Sequence, residues 1–218
     1  MTLKEELEEQ AAKSKANSTP ERAAIYAKNA EAVAATDILE TALQVGDTAP
    51  MFELPDAYGK VVSLAELLRT GPAIVSFYRG SWCPFCNLEL AALQRELHTV
   101  DAAGATLVAI SPNKPDESLG LIDKHEITFP VLSDSENTVT KQFNLVFEMH
   151  EELVDHYREI DRNIDEMNGS DVWELPVPAT YVIDQSGVIR YAWVDLNHRI
   201  RAEPSDVVAV AASLTSST

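Results

Sequence analysis

A chain of 218 residues with 45% hydrophobic and 24% charged side chains holds enough apolar material for one packed domain plus an extension. No stretch approaches the roughly 20 apolar residues of a membrane span. With 17 Lys and Arg against 35 Asp and Glu, the net charge of −18 repels phosphate backbones and anionic lipid, so neither nucleic acid nor a membrane is an expected partner. The opening run Met1 to Glu9 is acidic and has no apolar core, so no signal peptide is expected and the cytoplasm is the expected compartment.

Residues 1–44 read as an Ala-rich helical arm. Ser18 with Glu21 three positions on fits a capping box, and Pro20 suits a first helical turn. Ala27, Ala30, Ala34, Ile38 and Ala42 then recur at spacings of three and four, a narrow stripe that must pack on the main domain or on a second copy of the chain, so a homodimer is compatible with it. After a break at Gly46 to Pro50, Phe52 to Asp56 and Val61 to Leu64 read as short extended segments around Gly59. Ala73 to Tyr78 is a β-rich apolar run that predicts a buried strand, and Leu88, Leu90, Ala91, Leu93 and Leu97 after it predict a helix.

The pattern continues with a strand at Thr106 to Ile110, a helix at Pro115 to His125, a strand at Phe129 to Leu132 and a helix at Ser135 to Phe143. Strands at Thr180 to Ile183 and Val188 to Val194, joined by Gln185-Ser186-Gly187, predict an antiparallel hairpin, and Pro204 to Leu214 a closing helix. This order predicts an α/β domain over 45–218, a mixed central sheet with helices on both faces. Met149, Leu153, Tyr157, Ile160, Ile164 and Met167, spaced 4, 4, 3, 4 and 3, predict one amphipathic helix with an acidic outer face. That face is read as solvated, with docking a partner or roofing a site as its functional alternative.

The chemistry concentrates in Phe77-Tyr78-Arg79-Gly80-Ser81-Trp82-Cys83-Pro84-Phe85-Cys86. Here a strand ends and two cysteines open a helix, where residues three apart are neighbours. Unpaired N–H groups and the positive end of the helix dipole favour a thiolate, whose pKa in such settings falls to about 3.5–7.5 from about 8.5. Pro84 begins the helix without losing a hydrogen bond. A metal site would need more ligands than His98 alone supplies, and a structural disulfide across so short a loop would gain little. Two inert packing thiols remain as the plain alternative to a redox-active dithiol. No cofactor is called for.

Pro178 opens the strand that follows, and a cis Val177-Pro178 bond facing the cysteines would free backbone groups for an extended substrate; the alternative is an ordinary strand-start proline. His98, His125, His150, His156 and His198 are scattered, so solvated or capping roles are expected of them.

Val45 to Asp56, Gly59 to Leu68, Phe77 to Cys86 and Pro178 to Tyr191 resemble the alkyl hydroperoxide reductase/thiol-specific antioxidant (peroxiredoxin-like) family over residues 45–214. A leading helical arm also occurs in a subgroup of it. The resemblance implies a thioredoxin fold and thiol-based reduction of hydroperoxides or disulfides, with electrons from a thioredoxin-type donor. In the family's P-x-x-x-T-x-x-C pattern the reactive cysteine matches Cys86, while Arg79 stands at the proline and Cys83 at the threonine. The family's supporting arginine matches Pro178, and the buried acid of thioredoxins matches Ser76.

The family register therefore makes Cys86 the attacking sulfur. The physics of a helix start favours Cys83, with Cys86 a turn inside as the resolving thiol. Trp82, Arg79, Pro84 and Pro178 are the expected supporting residues. A disulfide reductase or isomerase without peroxidase activity and a redox-sensing interaction protein are the competing functions.

Overall fold

The computed structural model describes residues 1–215. In the arm, α1 (Leu3–Ala16) starts from a capping box in which Thr2 accepts from the Glu5 N–H and Glu5 reaches back to the Thr2 N–H. In α2 (Pro20–Ala34) the cap is Thr19, not Ser18: Thr19 Oγ1 accepts from the Arg22 N–H at 3.2 Å, so the expected Ser18–Glu21 box is displaced by one residue. The expected stripe holds at Ile38 and Ala42, which are buried, and fails on α2. Ala27, Ala30 and Ala34 are exposed, and α2 buries Asn29 and Val33 with Ile25 and Tyr26 beside them. A methyl group removes too little area from water to compete with Ile, Tyr and Val on the adjacent face. A short α3 (Ile38–Thr41) follows.

The hairpin β1 (Glu53–Pro55) and β2 (Val61–Ser63) turns where Asp56 Oδ1 accepts from Tyr58 and Lys60, and leads into α4 (Leu64–Thr70). The core alternation is β3 (Ala73–Phe77), α5 (Pro84–Ala102), β4 (Thr106–Ser111), a 3-10 turn at Pro115–Ser118, α6 (Leu119–His125), β5 (Val131–Ser133) and α7 (Thr138–Gln142). Then come β6 (Val146–Glu148), α8 (Glu151–Glu159), α9 (Ile164–Asn168), β7 (Glu174–Pro176), β8 (Ala179–Ile183), β9 (Ile189–Val194) and α10 (Pro204–Thr215).

The central sheet has the order β5-β4-β3-β8-β9. Its β3, β4 and β5 are parallel, and β8 and β9 run antiparallel to their neighbours, the mixed sheet and closing hairpin that the order of elements predicts. The strand β3 is buried throughout and alternates between two cores. Ala73, Val75 and Phe77 face one, with Phe143 and Tyr181 on Phe77 at ring distances of 4.8 and 6.1 Å. Ile74 and Tyr78 face the other, beneath α5 and α10, and Ser76 shares that side. Each such ring pair adds about 0.5–1.5 kcal/mol to the burial itself.

The arm spans both cores. Leu3 and Leu7 pack with α5 residues in the second, and Val33, Ile38 and Ala42 join the first. Arg95–Glu6 at 2.8 Å and Asn29 Oδ1, which accepts from the His150 N–H at 3.0 Å, fasten α1 and α2 at their two ends.

The single amphipathic helix expected over 149–167 does not form. Residues 146–148 are taken by the β6–β7 ladder, α8 stops at Glu159, and Asp161 (φ 56°) sits in the left-handed region before α9 begins. Leu153, Tyr157 and Ile164 are buried as the spacing predicts, whereas Ile160 is 46% exposed at the break.

Candidate active site

The site grows from the C-terminal end of β3. The Tyr78 N–H bonds the Ile110 carbonyl at 2.9 Å, after which the chain leaves the sheet. Gly80 (φ 140°) makes the turn, the Ser81 N–H donates to Asn113 Oδ1 at 2.8 Å, and the Cys83 N–H closes onto the Gly80 carbonyl at 3.1 Å. Asn113 is itself held by donating to Asn168 Oδ1 at 2.9 Å, so α9 steadies the loop through a buried polar chain.

Only glycine fits at position 80. A Cβ there would lie 2.5 Å from Trp82 Nε1 and 2.8 Å from Asn113 Oδ1, on a backbone that side chains rarely adopt. Gly80→Ala is therefore expected to cost about 1–3 kcal/mol in strain, with a further penalty for displacing the indole. Urea unfolding of the reduced protein checks this, and an unchanged midpoint would refute it.

Cys83 is the N-cap residue of α5 and Pro84 its first residue. Both thiols are reduced and buried, Cys83 at 1% and Cys86 at 0% exposure. Their environments push them apart. The Cys86 S–H donating to Cys83 lowers the Cys83 pKa to about 5, with help from Arg79 and Arg201 and against the cost of burial. Cys86 is raised well above the ordinary thiol value, by burial first and then by the charge next to it. These surroundings favour the anion at Cys83 and the protonated thiol at Cys86.

Behind Cys86 lies an ion pair that the sequence reading lacked. Arg201, in the loop between β9 and α10, pairs through Nε with Glu89 and donates from Nη2 to Cys86 Sγ at 3.3 Å. Its Nη1 donates to the carbonyls of His198 and Ile200. Glu89 accepts from Ser76 Oγ at 3.3 Å, and burial raises its pKa by more than Arg201 returns. The buried acid thus enters from α5 and hydrogen-bonds to the residue matched with the thioredoxin acid. An arginine likewise reaches the dithiol from a different segment, touching Cys86. Glu89 had a signal, as an acid one turn after Cys86 among leucines; Arg201 had none.

Arg79 is 3% exposed with its guanidinium 4.9 Å over the Trp82 ring. Trp82 also meets Tyr157 edge-on at 5.8 Å and carries Arg162 at 5.8 Å. Pro178 is brought to this end of the sheet because Ala179 pairs with Phe77, but no peptide bond among the described residues is cis, so the expected cis bond is corrected to trans. His150 caps α8 by accepting from the Glu152 N–H. His198, expected to be solvated or capping, instead meets Phe85 edge-on at 5.7 Å, and burial with three nearby arginines lowers its pKa.

A dithiol opening the helix that follows the central strand of such a mixed sheet defines a thioredoxin-fold thiol protein. The chain belongs to the AhpC/TSA family, whose match covers residues 45–192. It is 40% identical over 99 residues to "Putative peroxiredoxin Rv2521" of Mycobacterium tuberculosis, covering 45% of this chain and 62% of that one. It is 31% identical over 103 residues to "Peroxiredoxin Bcp" of Escherichia coli, covering 47% and 65%. The chain thus spans 62–65% of these relatives' length. Among solved structures, peroxidoxin BcpB of Mycobacterium tuberculosis superposes with a TM-score of 0.62 at 21% identity, over 79% of this chain and 98% of that one. AhpC of the same organism gives 0.60 at 15%, over 80% and 94%. These likenesses establish the thioredoxin fold of the peroxiredoxin kind.

Proposed function

We propose that this protein is a thiol peroxidase in which Cys83 attacks, Cys86 resolves and a thioredoxin-type dithiol restores the pair. The observation that carries the reading is the placement of the two thiols, Cys83 at the N-cap of α5 and Cys86 one turn in against Arg201, in surroundings that lower the pKa of the first and raise that of the second. Membership of a family whose named relatives are peroxiredoxins supports the substrate class.

The Cys83 thiolate attacks the terminal oxygen of a hydroperoxide and the O–O bond breaks. The alkoxide takes up a proton and leaves as alcohol, and Cys83 becomes a sulfenic acid. Cys86 then attacks that sulfur, its proton leaving with the hydroxyl as water, and a Cys83–Cys86 disulfide forms. A donor dithiol reduces it by exchange, which closes the cycle. Arg201, already on Cys86, stabilises that sulfur as its thiolate forms. Arg79 and Trp82 wall the attacking sulfur, Pro84 sets the helix start, and Pro178 supports the loop from β8. Such a dithiol works where a donor keeps it reduced, which supports a cytoplasmic setting for the cycle.

The test is peroxide consumption with thioredoxin and its reductase, beside reduction of insulin disulfides. Turnover of peroxide supports the reading; insulin reduction without it would replace it with a disulfide reductase. The pH dependence follows from the Cys83 value of about 5. Lowering the pH through that value protonates the nucleophile, so the second-order rate with peroxide should be flat at neutral pH and halve near pH 5. An ordinary thiol would instead inflect near pH 8.5. Thiolate ultraviolet absorbance measured beside the rate ties the inflection to Cys83.

A further inference from the structure

A cleft of about 510 Å³ opens beside the active-site loop, lined by Trp82, Lys114, Glu117, Arg162, Asn163 and Met167. It ends on Trp82 and reaches neither cysteine. The half-buried indole packs against both cores, the one that holds Tyr157 and the one that holds Cys83, its neighbour in the chain. The indole N–H has no partner, so ring contacts and the two guanidinium groups hold this side chain. Tyr157 braces it edge-on, and Tyr157 is itself 1% exposed and accepts a hydrogen bond from the Tyr26 hydroxyl of α2 at 3.3 Å. The lysine–carboxylate pair Lys28–Glu152 fastens α2 to α8 on the same side.

We propose that Trp82, pinned by Tyr157 and through it by Tyr26 of the arm, is a size filter that passes hydrogen peroxide to Cys83 and stops bulky hydroperoxides in the cleft. The proposal rests on the peroxidase reading above. Hydrogen peroxide needs no more room than two waters, whereas an aryl or long-chain hydroperoxide must displace the indole to bring its oxygen to the sulfur. Moving the indole means moving Tyr157, which is packed in the core and tied to a second helix. Tyr157 is thus a specificity-determining residue, acting through Trp82. Residues 1–44, whose alanine-rich sequence suggested packing alone, take a share in selectivity.

The experiment compares kcat/KM for cumene hydroperoxide with that for hydrogen peroxide, on the full chain. The wild-type ratio should be about one-tenth or less, and Tyr157→Ala should raise it at least about tenfold, within the range that shape discrimination by apolar pockets supplies. Tyr26→Phe, which keeps the ring and removes the hydroxyl, should raise it by less. A wild-type ratio near one, or a ratio that Tyr157→Ala leaves unchanged, overturns the filter. Should Tyr157→Ala not fold, Tyr157→Leu reads the same ratio.

If no variant consumes peroxide, the functional reading fails and alkylation still decides the filter. Reduced wild-type Cys83 should then react readily with N-methylmaleimide and far more slowly with the bulky N-pyrenylmaleimide, which carries the same electrophile, a gap that Tyr157→Ala closes. Equal wild-type rates with both reagents would count against the filter.

Discussion

Cys83→Ser is expected to abolish peroxide reduction, by roughly a thousandfold or more, because a serine hydroxyl at this position has no stabilised anion to offer. Cys86→Ser should behave differently. Its hydroxyl still donates to Cys83, so the thiolate and the first chemical step survive, but no second sulfur is present to form the disulfide. One equivalent of peroxide is then consumed and a sulfenic acid accumulates on Cys83, which dimedone labelling and mass spectrometry detect. Cys86→Ala, which removes the donor as well, should raise the Cys83 pKa and slow even the first turnover at neutral pH. The reverse pattern, catalysis by a protein retaining only Cys86, would restore the family register in which Cys86 attacks.

The largest stability effect belongs to Arg201. Its side chain is fully buried against Glu89, whose own side chain is 3% exposed. Arg201→Met strands the carboxylate with only the Ser76 hydroxyl, and removing one partner of such a pair costs about 3–5 kcal/mol. Changing both, Glu89→Leu with Arg201→Met, should cost much less, since no charge is left buried. The sign with pH is fixed by the raised Glu89 pKa. A carboxyl whose folded pKa lies above its unfolded value favours the folded state most at low pH and loses that contribution as pH rises through the folded value. The deficit of Arg201→Met should therefore shrink as the solution is made acidic. Urea unfolding of the reduced proteins at two pH values measures both effects.

What the sequence revealed and what it hid follow the same physical division. The two cysteines, the strand before them and the helix after them are local features, set by spacing along a few residues, and they stand where the spacing places them. The β8–β9 hairpin was legible for the same reason. Arg201 was not, because it lies 115 positions from the sulfur it touches and nothing in its own neighbourhood marks it as buried. The acidic segment misled because its apolar residues keep helical phase through Asp161, whereas the backbone breaks between α8 and α9 with Asp161 in the left-handed region. The stripe from Ala27 to Ala42 runs past the end of α2, and on α2 itself the wrong face is favoured: several alanines outnumber a few large side chains in sequence but not in buried area.

Arg79 carries a consequence for the energetics of electron exchange. This buried cation lies over the Trp82 ring, is in no ion pair with a carboxylate among the described residues, and is favoured by a negative charge at Cys83. Its counter-charge is supplied by the thiolate itself, so reducing the pair creates the partner that Arg79 needs and oxidising it takes that partner away. The field of Arg79 therefore favours the reduced state over the disulfide, which moves the couple toward the oxidising end of the thiol scale. A disulfide poised in this way is more readily reduced by a dithiol than one without the neighbouring cation. The same guanidinium that prepares the sulfur to attack thus also sets how readily the protein is returned to its starting state.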